Sequence, residues 1–156
     1  MVDVHLSEIK KEILELIPQQ KPFRFVNEIT EIAEDRVTGK YTYTEDEYFY
    51  KGHFPGNPIT PGVILIETMA QIGLVALGIY LHRQEGGVEN VITLFAEADV
   101  EFYLPVLPGS TIVVTSKKIF YRRKKLKAEV EMRFENGDII ARGNLSGVGV
   151  LQNVGK

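Results

Sequence analysis

Residues 62–81, GVILIETMAQIGLVALGIYL, constrain this chain more than any other segment. The run is helical in character. Yet Val63, Ile64, Leu65, Ile66, Met69, Ile72, Leu74, Val75, Leu77 and Ile79 do not keep to one stripe of the helix. An amphipathic surface helix shows a single apolar face, so this one has to be enclosed on nearly every side. A membrane would enclose it, and the run is nearly long enough to cross one. Glu67 and Gln71 in its first half, the two interior glycines Gly73 and Gly78, and strand-like sequence elsewhere argue against a span. The alternative is a sheet that curls around the helix. The expectation is therefore an α+β fold with a long central helix wrapped by a curved antiparallel sheet, and no membrane span.

The rest of the sequence fits that expectation. Residues 6–16 read as a short amphipathic helix on Leu6, Ile9, Ile13 and Leu16, ended by Pro18. Strand-like sequence begins at Phe23, and a second strand is expected over 36–44. Residues 45–47 read as a solvated link and 52–61 as an ordered, proline-rich loop. Thr60 is placed to cap the long helix, with Pro61 at its first position. Further strands are expected at 90–102, 110–121, 126–135 and 138–150, with Asn136-Gly137 as a hairpin turn between the last two. At 156 residues, with no repeat or linker, residues 1–156 read as one domain. Cysteine is absent, which removes thiol nucleophiles, thiolate metal sites and disulfides, and suits a cytoplasmic location. The N-terminal residues carry no secretory signal pattern.

The chemistry concentrates in GHFPGNPITPGVILIETMAQ, residues 52–71. A carboxylate inside so apolar a helix is costly unless it is used or satisfied. Glu67 is that carboxylate, and Gln71 shares its helix face. The bland reading is a buried acid satisfied by Gln71 and by backbone. His53 lies in a loop stiffened by Pro55 and Pro58, as a catalytic imidazole requires. Gly62 sits in the first helical turn, where N–H groups lack helical partners and a carbonyl oxygen can be polarised. A histidine base, a carboxyl acid and an oxyanion-stabilising amide suit removal of a proton α to a carbonyl with loss of a β-hydroxyl. Residue types alone leave hydration, isomerisation and thioester hydrolysis open.

This segment resembles the signature of the bacterial 3-hydroxyacyl-[acyl-carrier-protein] dehydratases of the hot-dog fold. IPQQKPFRFVNEI at 17–29 and FYLPVLPGS at 102–110 are similar to two further blocks of that family. The resemblance implies His53 as catalytic base and Glu67 as catalytic acid, contributed across a dimer interface. It implies that the Gly62 amide holds the thioester carbonyl. Gln71, Phe54 and Val63 complete the expected substrate-binding set. It implies homodimers, often joined as trimers of dimers, an acyl carrier protein as partner, and no metal or redox cofactor. Where that family commonly reads LPHR, this chain has Ile17-Pro18-Gln19-Gln20, which touches the expected tunnel mouth rather than the catalytic pair. Other hot-dog chemistries, acyl-CoA hydration or thioester hydrolysis, and a non-catalytic acyl-binding subunit are the alternatives.

The net charge of −3 conceals one basic stretch. Lys117, Lys118, Arg122, Arg123, Lys124, Lys125 and Lys127 occur with no acidic residue among them. A nucleic-acid binder would be basic more broadly. Arg122, Arg123, Lys124 and Lys125, at an expected bend, are candidates for docking an acidic carrier protein. The competing reading is a charged hairpin tip that blunts a sheet edge.

Overall fold

A computed structural model describes residues 4–152; residues 1–3 and 153–156 of the expected 1–156 domain lie outside the described residues. Helix α1 spans Val4–Leu16. Strands β1 (Glu28–Ala33) and β2 (Arg36–Thr42) follow. A 3-10 turn, Tyr48–Lys51, precedes the loop that carries His53. Helix α2 runs over Gly62–Gln84. Strands β3 (Val91–Phe102), β4 (Thr111–Arg122), β5 (Lys125–Phe134) and β6 (Ile139–Leu151) complete the chain. They form one sheet in the order β1-β2-β4-β5-β6-β3, antiparallel throughout.

The strands alternate as a half-buried sheet must. Ile112, Val114 and Ser116 of β4, and Leu126, Ala128, Val130 and Met132 of β5, are buried. Lys117, Lys125 and Glu129 on the same strands face water. Register shifts at Ile29/Glu31, Phe95/Glu97, Lys118/Phe120 and Met132/Arg133 add bulges, which bend strands and increase twist. The curved sheet wraps α2, as a hot-dog fold requires. The helix contacts β2, β3, β4, β5 and β6. Its most apolar window is 72% buried inside the protein, so its oily surface is matched by protein.

Close approach of helix and sheet demands small residues. A Cβ at Gly73 would stand 3.1 Å from Val130 Cγ2 and 3.2 Å from Ser116 Cβ. The buried Ser116 hydroxyl donates to the Gly73 carbonyl at 3.0 Å. Here, over Gln71–Ala76, the helix widens to π geometry, a feature that the apolar pattern alone does not signal. The buried Tyr43 hydroxyl meets Thr68 Oγ1 at 2.5 Å, and Thr68 Oγ1 donates on to the Ile64 carbonyl.

Several local expectations change. Phe23–Asn27 is irregular rather than strand, because its backbone is engaged by Gln71: Phe25 N–H donates to Gln71 Oε1 and the Phe23 carbonyl accepts from Gln71 Nε2. Thr60 does not cap α2. Pro61 occupies the cap position without a side-chain bond, while the Thr60 hydroxyl pairs with Tyr50. Arg24 donates to the Leu14, Ile17 and Gln19 carbonyls, so a cation inside the IPQQKPFRF segment secures the end of α1. Arg123 and Lys124 form the β4–β5 turn with φ of 51° and 62°.

The Gly73 contact is testable. Gly73→Val forces branched methyls into Val130 and Ser116, and overpacking of this kind costs about 1–3 kcal/mol. Urea denaturation at fixed protein concentration is expected to show a lower midpoint. An unchanged midpoint would mean that α2 does not lie this close to β4 and β5.

Candidate active site

His53 follows directly from the 3-10 turn. Its N–H donates to the Phe49 carbonyl, and its own carbonyl accepts from Ile59 N–H at 2.9 Å. The loop therefore doubles back on itself around the histidine. The ring is fixed as well: Nδ1 lies 2.8 Å from the Ile59 carbonyl oxygen. A carbonyl can only accept, so Nδ1 carries the proton and neutral His53 presents Nε2 as a lone-pair base. The Phe54 ring stacks on the imidazole with centroids 4.0 Å apart.

His53 opens into a cleft lined by Ile59, Thr60, Gly62, Leu65 and residues 102–105. Gly62 begins α2 there. Pro61 O accepts from the N–H groups of Ile64 and Leu65, which leaves those of Gly62 and Val63 at the helix start without helical acceptors. A Cβ on Gly62 would meet the Phe102 ring at 3.3 Å. The glycine thus keeps the helix start open beside an aromatic wall. A carbonyl oxygen arriving here meets peptide N–H donors and the positive end of a helix.

Glu67 sits further along α2 and does not line this cleft within one chain. Gln71 Nε2 donates to Glu67 Oε2 at 2.9 Å. Burial of Glu67 raises its carboxyl pKa above the ordinary value, and the Gln71 bond offsets part of that rise. The acid therefore holds its proton to higher pH than a free glutamate. Gln71 is fully buried. Its amide also donates to the Phe23 carbonyl at 2.9 Å and accepts from Phe25 N–H at 2.7 Å. Those bonds place Gln71 behind Glu67, tied to the 23–25 segment. Val63 and Phe54 are exposed, at 73% and 48%.

The structure thus brings His53, Phe54 and Gly62 together and groups Glu67 with Gln71 separately. The basic residues stand apart again. Arg122 pairs with Lys125 at the tip of the β4–β5 hairpin. Met132, seven positions along β5, lies in the row that leads through Ala141 to Phe102 of the cleft. At about 3.3 Å per residue that is roughly 23 Å from His53's end of the sheet. The Ile59 carbonyl and Leu65 join the site unannounced by the sequence, and Phe102, the first residue of the FYLPVLPGS block, joins it without a role assigned from sequence. A backbone acceptor has no side-chain signature, and Phe102 reads as ordinary strand. Among the described residues no group of three or more histidine, aspartate or glutamate side chains is placed to hold a metal ion.

Comparison with known proteins gives the same direction. A model of the FabA-like domain family matches residues 17–144. The 3-hydroxyacyl-[acyl-carrier-protein] dehydratase FabZ of Caldicellulosiruptor bescii is 36% identical over 136 residues, covering 86% of this chain and 93% of that protein. The corresponding enzyme of Geobacter metallireducens is 40% identical over 104 residues, 65% of this chain and 67% of that one. Among solved structures, the dehydratase heterocomplex ApeI:P from Xenorhabdus doucetiae superposes with a TM-score of 0.74 over 91% of each chain. At 15% identity that likeness concerns the fold. The family match over residues 17–144, with identities of this size across most of the chain, shows that it belongs to the FabA-like family, among the 3-hydroxyacyl-[acyl-carrier-protein] dehydratases.

Proposed function

We propose that this protein converts a (3R)-hydroxyacyl-[acyl-carrier-protein] to the trans-2-enoyl thioester and water, in fatty-acid or related lipid biosynthesis in the cytoplasm. The observation that carries the reading is the His53 ring. With Nδ1–H committed to the Ile59 carbonyl, Nε2 is a base held in one tautomer beside the amide-rich start of α2. His53 Nε2 takes a proton from C2. The thioester carbonyl, hydrogen-bonded at Gly62, carries the negative charge that develops. The electron pair then forms the C2–C3 double bond as the C3 hydroxyl departs. Glu67 supplies the proton that turns this leaving group into water, a role that suits a carboxyl group whose pKa is raised by burial. Passing the C2 proton back from His53 to the Glu67 carboxylate restores both groups.

Glu67 does not line its own chain's His53 cleft, so the reading assigns the acid to a second copy. The surface supports this. Strand β3 is an edge of the sheet, and residues 94–99 are all exposed, Leu94 at 55% and Phe95 at 47%. A long apolar edge strand is normally covered. Pairing β3 with β3 of a second copy about a two-fold axis covers both edges and lets each subunit complete the other's site. Gln71 then acts as a positioning residue for Glu67, and Phe54 and Val63 line the acyl path at the joint. The same pairing reverses the sheet ends. The partner's Arg122–Lys125 turn comes to the end that bears His53, where it is available to an acidic carrier protein.

His53→Ala and Glu67→Gln are each expected to lower turnover of hydroxyacyl-carrier substrate by about 100- to 10,000-fold, the usual size of a general acid–base contribution. Mixing the two inactive variants is expected to restore activity, since about a quarter of the sites in a random dimer population hold both intact groups. Near-normal turnover by either variant would remove that residue from the mechanism. No recovery after verified subunit exchange would place the pair within one chain.

The basic turn is tested separately. Arg122→Glu with Lys124→Glu is expected to raise KM for carrier-protein substrate and to leave turnover of a short synthetic thioester almost unchanged. Added salt is expected to bring the wild type toward the variant, because exposed charges are screened. If both substrates respond alike, or neither responds, the carrier docks elsewhere.

A further inference from the structure

Two hydroxyl groups close the base of the loop that carries His53. Tyr50, at the end of the 3-10 turn, is 5% exposed, and Thr60, just before α2, is 3% exposed. The Tyr50 hydroxyl and Thr60 Oγ1 are 2.6 Å apart. Between them the chain runs out through His53, Phe54 and Gly56 and returns at Ile59. Residues 54–58 are all exposed, and the Phe54 and Asn57 N–H groups donate to each other's carbonyls to close the tip. The buried attachment of the loop is at its base.

The bonds at that base form a connected set. Thr60 N–H donates to the Val106 carbonyl at 2.9 Å, which ties the returning limb to the segment after β3. His53 N–H donates to the Phe49 carbonyl, which ties the outgoing limb to the 3-10 turn. The Tyr50–Thr60 bond joins the two limbs side chain to side chain at the base, and His53 and Ile59 join them again further out. One peptide unit before Thr60 stands the Ile59 carbonyl, the acceptor that holds the proton on His53 Nδ1. Movement of Thr60 moves that carbonyl.

We infer that Tyr50 and Thr60 are positioning residues, a buried hydroxyl pair that fixes the Ile59 carbonyl and through it the tautomer and direction of the His53 base. This rests on the dehydratase reading for its effect on rate, but not for its effect on the imidazole. Neither residue touches the reacting atoms. Their bond is buried, so water cannot substitute readily for a lost partner. A base displaced by a fraction of an ångström loses alignment with the C2 proton, while substrate binding is largely spared.

The experiment uses Tyr50→Phe, Thr60→Val and Thr60→Ser in the full chain. The imidazole nitrogens of His53 are read by long-range proton–nitrogen NMR at a pH where the ring is neutral. Steady-state kinetics use a hydroxyacyl-carrier substrate. In the wild type His53 is expected as a single tautomer protonated on Nδ1. Tyr50→Phe and Thr60→Val are expected to give a mixture of tautomers and a kcat lower by about tenfold, with KM little changed. Thr60→Ser, which keeps the hydroxyl, is expected to restore the single tautomer and most of the rate. The inference is overturned if both disruptive variants keep the single Nδ1 tautomer, whether or not the rate falls, since general weakening of the fold would lower the rate alone. It is also overturned if the tautomer scrambles while kcat stays at the wild-type value. Should Thr60→Val fail to fold, Tyr50→Phe, which removes one oxygen, carries the same test. A wild type inactive on hydroxyacyl thioesters would overturn the dehydratase reading, and the imidazole spectrum would still judge the hydroxyl pair.

Discussion

Removing α2 from water is the constraint to which the other elements conform. A helix that is apolar on all sides gains most when it is surrounded, and burial of each large side chain contributes about 1.5–3 kcal/mol. One curved sheet supplies most of that enclosure. The bulges that bend it, the glycine where the helix meets Val130 and Ser116, and the Ser116 hydroxyl on the Gly73 carbonyl all follow from holding the helix close. One face near the start of the helix stays open, where Val63 is exposed and Glu67 half-buried. Glu67, the proposed acid, lies at that opening.

Polar groups near α2 are arranged so that few are left without partners. Gln71 shows the principle best. Its amide meets the Phe23 carbonyl, the Phe25 N–H and the Glu67 carboxylate at once, so one side chain fixes an irregular segment and an acid together. Loss of Gln71 would therefore disturb structure and chemistry at the same time. His53 is held by a different device, a backbone carbonyl fixed at the base of a loop. The proposed base is thus set by backbone and the proposed acid by a side-chain amide. Each is positioned before substrate arrives, which electrostatic preorganisation requires.

Much of this was legible in the residues, for identifiable reasons. The enclosed helix followed from apolar residues on every face of 62–81, and the antiparallel strands from alternation and the Asn136-Gly137 turn. Glu67 stood out because a carboxylate in such a helix needs an explanation. Other features carry no signal of that kind. The π segment at Gln71–Ala76 comes from fitting the helix into the sheet. Thr60 looked like a cap because its residue type and position suit one; its hydroxyl instead pairs with Tyr50, a residue ten positions away with no pattern to mark it. The basic turn was correctly placed at a bend. Its location at the sheet end away from His53 depends on register, which a single sequence does not give.

The central claim is that His53 removes a C2 proton and that water leaves from C3 while the thioester stays intact. Mass spectrometry of an intact (3R)-hydroxyacyl-carrier protein, deuterated at C2 and incubated with the enzyme, tests it most directly. The expected product is a carrier still bearing its acyl chain and lighter by the mass of one HOD, because the hydroxyl leaves C3 and one deuteron leaves C2 to His53, whatever later becomes of that deuteron. Release of free thiol and a carboxylic acid, or an acyl-carrier mass that does not change, would contradict it.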